Sequence, residues 1–110
     1  MNWYTAKLIF RIVSGDGCHD PQFDEQLRLI KAGNEADVLK KANQLGMAGE
    51  DSFLNIAKET VKWQFIAVVE INELNSIDDG AELYYKIKEV VDAGAYIANA
   101  ERKALLLSTY

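Results

Sequence analysis

Residues 60–74 read TVKWQFIAVVEINEL, from Thr60 to Leu74. Val61, Trp63, Phe65, Ala67, Val69 and Ile71 fall on one side of an alternating register. Lys62, Gln64, Ile66, Val68, Glu70 and Asn72 fall on the other. A period of two over this length, rich in β-branched and aromatic residues, predicts a long central β-strand. The stretch carries packing residues and no reaction centre, so it decides the architecture and leaves the function open.

Working outward, residues 3–13 alternate in the same way. Tyr4, Ala6, Leu8, Phe10 and Ile12 form an apolar face, and Trp3, Thr5, Lys7, Ile9, Arg11 and Val13 a mixed one. This predicts a first strand. The run SGDGCHDP at 14–21 is turn chemistry. Residues 23–32, FDEQLRLIKA, read as a second strand returning antiparallel, with its buried face undecided because Leu29 and Ile30 point opposite ways. Asn34 is placed to cap a helix over 35–45, with Glu35 and Asp37 at the positive end of its dipole. Val38, Leu39, Ala42 and Leu45 form its apolar stripe, and Gly46 is the expected C-cap. Residues 47–59 read either as a short strand or as an irregular packed loop.

After the long strand, NSIDDG at 75–80 is a turn. Residues 81–88 alternate Leu83, Tyr85 and Ile87 against Glu82, Tyr84, Lys86 and Lys88, which predicts another strand hairpinned to the long one. From residue 89 the period becomes helical. Ile87, Val90, Val91, Gly94, Ile97, Ala98, Ala104 and Leu105 form a stripe interrupted by Glu101, with a soft spot at Gly94. The order is β-β-α-(β)-β-β-α, an α+β fold with a mostly antiparallel sheet of four to five strands and two helices in one domain. The helices need one sheet face. The other carries Trp3, Ile9, Val13, Ile66 and Val68, more apolar surface than a solvated face should show. A cover is therefore expected, first a second copy of the chain and second the C-terminal helix. Residues 89–110 could pack in cis or on a partner.

The 110 residues are enough for one domain, burying about 65% of the unfolded surface. Hydrophobic residues at 49% and charged residues at 26% are typical of a globular protein. The net charge is −5 and no basic run exceeds two residues, which argues against nucleic acid, whose binding needs clustered cations. One cysteine, Cys18, permits no internal disulfide and fits a reducing cytoplasm. No signal peptide is read at the start, and no run nears the roughly 20 apolar residues that span a bilayer.

Two passages carry a resemblance. Trp3-Tyr4-Thr5-Ala6-Lys7-Leu8 and Glu59-Thr60-Val61-Lys62-Trp63-Gln64-Phe65, with the acidic-Gly turn before Glu82-Leu83-Tyr84, are similar to the small bacterial family known as domain of unknown function 4288. The resemblance covers roughly residues 1–88. It implies no activity and marks Trp3, Tyr4, Lys7, Glu59 and Trp63 as positions to watch.

The chemistry-bearing residue types form no reaction motif. Cys18-His19-Asp20 are adjacent, whereas structural zinc motifs use spaced pairs, so an ordinary loop is expected there. Asp78-Asp79-Gly80 with Glu82 lacks the EF-hand spacing. Gly15-x-Gly17 precedes no helix, so it is no phosphate loop. Glu59 and Lys7 suit a structural ion pair better than acid–base work. Trp63 belongs to the core, and Trp3 and Tyr84 are the aromatics suited to a ligand or partner. No catalytic residue, cofactor or metal is expected. The expectation is a cytoplasmic, non-enzymatic binding module that self-associates as a homodimer. Trp3, Tyr84, Lys7 and Glu59 are its candidate surface, and a basic protein surface is a suitable partner for the acidic chain. The alternative is a small enzyme with its pocket between sheet and helices, or between subunits.

Overall fold

In a computed structural model that describes residues 1–108, six elements follow one another: β1 (Asn2–Ser14), β2 (Gln22–Ala32), α1 (Glu35–Ala48), β3 (Asp51–Leu54), β4 (Thr60–Leu74) and α2 (Ala93–Leu107). The four strands form one antiparallel sheet in the order β2-β1-β4-β3. The β1–β2 hairpin closes through Gly15 and Gly17, both at positive φ (58° and 82°), which glycine adopts without a Cβ penalty.

Helix α1 lies on one face, called here the inner face. Its N-cap is Asn34, whose side chain accepts the Asp37 amide at 2.9 Å. Tyr4, Ala6, Leu8 and Phe10 of β1, Ile30 and Ala32 of β2, and Val38 and Ala42 of α1 form the buried core, with Trp63, Phe65, Val68 and Ile71 packed against it. The helix runs one turn beyond the expected C-cap, to Ala48, and Gly49 caps it. Gly46 instead lies against the Phe65 ring, where any Cβ would overlap the ring carbons. Its role is close approach between helix and sheet. The ambiguous stretch after α1 supplies the short edge strand β3.

The long strand is confirmed, but its alternation is broken twice. Leu8 pairs with Val68 while Lys7 pairs with Glu70, and Ile9 pairs with Ala67 while Phe10 pairs with Phe65. Val69 and Ile66 are therefore extra residues, two β-bulges. The first bulge moves Ala67 to the outer face and brings Val68 inward, and the second restores the original parity, so Ile71 shares the inner face with Val61, Trp63 and Phe65. The expectation that Val68 lies on the second face is corrected by this geometry.

Residues 81–88 do not form the expected strand. β3 pairs with β4 only from Thr60 to Trp63, so among the described residues the far half of that edge carries no strand, yet residues 81–88 do not add to it. The chain instead crosses the outer face as a strap. Glu82, Leu83, Tyr84 and Tyr85 lie beside Asn72, Glu73 and Leu74, and Tyr84 reaches Lys7 of β1 and Leu27 of β2. Leu74, on the outer face, is buried at this crossing.

Helix α2 starts at Ala93, later than the periodicity suggests, because the Asp92 side chain caps it by accepting the Ala95 amide at 3.0 Å. Among the described residues α2 touches neither α1 nor any strand, and none of its residues is buried. The radius of gyration, 18.1 Å, exceeds the roughly 13 Å of a compact chain this long because α2 stands away from the sheet. No helix among the described residues is long and apolar enough to cross a membrane.

Candidate functional site

Strand β2 inverts the usual pattern. Its inner-face residues are Asp24, Gln26 and Arg28 before Ile30 and Ala32, while Phe23, Leu27 and Leu29 point outward, away from the protein's own helix. These three are 55%, 49% and 51% exposed. The inner polar row satisfies itself. Gln26 Nε2 donates to Asp24 Oδ2 at 2.6 Å, Arg28 donates to Gln26 Oε1, and the Trp63 indole donates to Asp24 Oδ2. In the apolar row Leu27 has Tyr84 of the strap beside it, and all three side chains stay about half-exposed.

The candidate site is this outer face. Lys7 sits at its centre, 3.0 Å from the Glu25 carboxylate. Lys7, Glu25, Gln26, Leu27 and Tyr84 line a shallow cleft of about 270 Å³. The hydrogen bond that Lys7 donates to the Glu25 carboxylate is the main influence on Lys7 and raises its pKa, with the charges of Glu25, Glu70 and Tyr84 adding to it and desolvation opposing it. A lysine that acts as base or nucleophile needs its pKa lowered. The shift here runs the other way and favours the charged ammonium of Lys7.

Trp3 lies on the same face and carries Lys31 Nζ 5.3 Å above its ring, a cation–π contact. Thr5 lies between Leu29 and Asn72 and is buried, and its hydroxyl has no hydrogen-bond partner. Glu59 is elsewhere. It closes the β3–β4 turn, where its amide donates to Asn55 Oδ1 at 2.9 Å and its carboxylate lies beside Gly15. The structure thus brings Lys7, Tyr84 and Trp3 to one face and leaves Glu59 outside it. The partner of Lys7 is Glu25, because β1 pairs with β2 at that level.

Phe23, Leu27, Leu29 and Glu25 were not singled out from the sequence. The signal was present in the odd-numbered positions of residues 23–31, but mixed apolar and charged residues on both sides left the face undecided. In the turn, His19 Nε2 accepts the Ser14 amide at 2.9 Å and Nδ1 is 2.8 Å from the Asp20 carbonyl, which fits the Nδ1–H tautomer. Asp16 accepts the Cys18 amide, and that hydrogen bond holds its carboxyl below the ordinary value. The imidazole is therefore occupied with backbone groups and not poised toward the exposed Cys18 thiol.

Neither a curated protein nor a solved structure matches the chain. A family model does match, over residues 3–85, from the opening Trp3 to the strap residue Tyr85, and leaves α2 outside. The matched span holds all four strands, α1 and the Tyr84 cleft, and the chain belongs to the family described as Domain of unknown function (DUF4288).

Proposed function

We propose that this protein is a non-enzymatic, cytoplasmic binding module that works as a homodimer, with the outer sheet face as its working surface. The observation that carries this reading is the inverted pattern of β2, which sends Phe23, Leu27 and Leu29 to solvent while the opposite row is polar and internally bonded. An apolar row on a sheet face is stabilised only when something covers it, each large side chain contributing about 1.5–3 kcal/mol on full burial. Lys7, Glu25, Trp3 and Tyr84 then form the polar and aromatic rim that sets register. The net charge of −5 suits a further protein partner with a basic surface.

The raised pKa of Lys7 weighs against the enzyme alternative at this cleft. Native mass spectrometry and light scattering of the full chain test the reading. A dimer at micromolar concentration is the expected result. A strict monomer at 100 μM and above, on the order of the weakest functional affinities, would overturn it.

A further inference from the structure

Among the described residues, two apolar surfaces of this chain stay largely exposed, with only Tyr84 beside Leu27 on the first and Lys88 over the Tyr96 ring on the second. One is the β2 row of Phe23, Leu27 and Leu29 on the outer face. The other is α2, where Tyr96, Ile97, Ala100, Ala104 and Leu107 recur at helical spacing with no strand or helix against them. The link between the strap and α2 does not fold back, since Ile87 and Val91 are almost fully exposed. We propose that α2 is exchanged: the helix of each copy lies on the outer face of the other, along β2, in a closed two-fold dimer. This inference rests on the self-association reading and names the element that performs it.

Size, area and charge all point to a second copy. A fifteen-residue helix is about 22 Å long, and Phe23 to Leu29 spans about 20 Å of strand. One side of such a helix covers about 350 Å², taking it as a cylinder about 10 Å across. A stable interface removes about 800 Å² from each partner. A single helix contact falls well short of that. A reciprocal exchange, in which each copy gives one helix and receives one, brings each to about 700 Å² and closes without leaving a sticky end.

The charges fit as well. Glu101 borders this stripe, four residues after Ile97 and three before Ala104. On the outer face Arg11, opposite Phe23, and Lys31, above Trp3, have no carboxylate partner among the described residues. Arg11 and Lys31 stand at opposite ends of β2, about 26 Å apart, so Glu101 of a docked α2 can meet one of them and not both. The exchange also adds the missing third layer, giving the sheet a helix on each face.

The test is complementation between two full-length variants, Leu27→Asp and Ile97→Asp, followed by sedimentation and native mass spectrometry. Both positions are half-exposed in the single chain, and circular dichroism of each variant checks that the fold is kept. Each substitution strikes both symmetry-related contacts, so each variant alone loses about a thousandfold in dimer affinity, two hot spots of about thirtyfold each. The one-to-one mixture forms a heterodimer with one intact contact, helix from the first variant and sheet from the second; its other contact carries both substitutions and is already lost, so the mixture regains about thirtyfold.

Each other arrangement gives a different result. If α2 pairs only with its counterpart, Leu27→Asp remains a dimer. If the sheets pair directly, Ile97→Asp remains a dimer. Either outcome, or two monomeric variants that fail to complement, overturns the exchange while leaving self-association standing. A monomeric wild-type chain overturns both.

Discussion

The Trp63 indole nitrogen donates to Asp24 Oδ2 at 3.1 Å, a hydrogen bond that spans the width of β1 to join β4 to β2. Asp24 lies opposite Phe10 and Trp63 opposite Ile12, so the bond crosses the inner face one pair beyond the buried core. Phe53 stacks on the other side of the indole, with ring centroids 6.0 Å apart. Trp63→Phe keeps the ring packing and removes the donor. Asp24 retains the Gln26 bond, so the expected loss is about 1 kcal/mol. Urea denaturation of the two proteins measures it. A loss above about 3 kcal/mol would mean that ring volume, not the hydrogen bond, dominates.

Gly46 permits the closest contact of α1 with the sheet. Its neighbour Phe65 is in turn packed on Phe10, with centroids 5.6 Å apart, so the ring has little room to retreat. Gly46→Ala gains helix propensity of up to about 1 kcal/mol and loses about 1–3 kcal/mol to overpacking. Net destabilisation is expected, with Phe65→Leu restoring part of it in the double variant. Gly94→Ala in α2 is the contrast. Its added Cβ would meet only Asp92 Oδ1 at 3.4 Å, and neutral or slightly higher stability is expected by the same measurement.

Much of the fold was legible because period and capping act locally. The strands at 3–13 and 60–74 and the Asn34 cap need only their own neighbours to be read. The misreadings occurred where tertiary geometry decides. Val68 alternates with Ile66 in sequence, and only the pairing with β1 reveals the bulges that move it inward. Residues 81–88 alternate as a strand would, but the chain lays Tyr84 toward Lys7 and Leu27 across the outer face instead of pairing along β4, a tertiary choice that alternation does not encode. Gly46 looks like a C-cap until Phe65 stands above it. For the candidate surface, the chemistry of Trp3, Lys7 and Tyr84 is readable in the sequence, and the structure places the three on one face. Glu25 and the Phe23–Leu27–Leu29 row were missed because the face of β2 is set by its partner and not by its own pattern.

Thr5 is buried with an unpartnered hydroxyl. Leaving a polar group unsatisfied costs more than the net worth of an ordinary hydrogen bond. Thr5→Val replaces that hydroxyl with a methyl of nearly the same shape. Stability should rise by about 1 kcal/mol in urea denaturation. A fall of similar size would show that the hydroxyl is bonded in solution, and a bound water is then the partner to seek.

The Asp16 carboxyl should titrate below an ordinary aspartate, chiefly because its ionised form accepts the Cys18 amide. A group with a depressed folded pKa stabilises the folded state above its unfolded pKa, and loses that contribution as pH falls through the folded value. The turn at 14–20 should therefore hold through neutral and mildly acidic pH and loosen only in strong acid. Nuclear magnetic resonance reads this directly, since the Cys18 amide should shift with the Asp16 titration. Asp16→Asn should abolish that titration step. An Asp16 carboxyl that titrates at or above the ordinary value would contradict the hydrogen bond.

The bulge at Val69 makes the sharpest claim about β4. Its side chain is half-exposed and faces no residue of β1, so Val69→Thr should leave stability within about 0.5 kcal/mol. Deleting Val69 removes the bulge and leaves the pairing regular. Val69 is the extra residue, so its loss keeps Val68 opposite Leu8 and Glu70 opposite Lys7, and every later residue of β4 keeps its face and its partner. Ile71 stays opposite Ala6 in the core and Asn72 stays opposite Thr5. The deletion should therefore fold, with a loss of about 1 kcal/mol for the changed local twist, as read by circular dichroism and thermal melting. A loss of several kcal/mol would show that the bend made by the bulge, and not the pairing alone, seats β4 on β1.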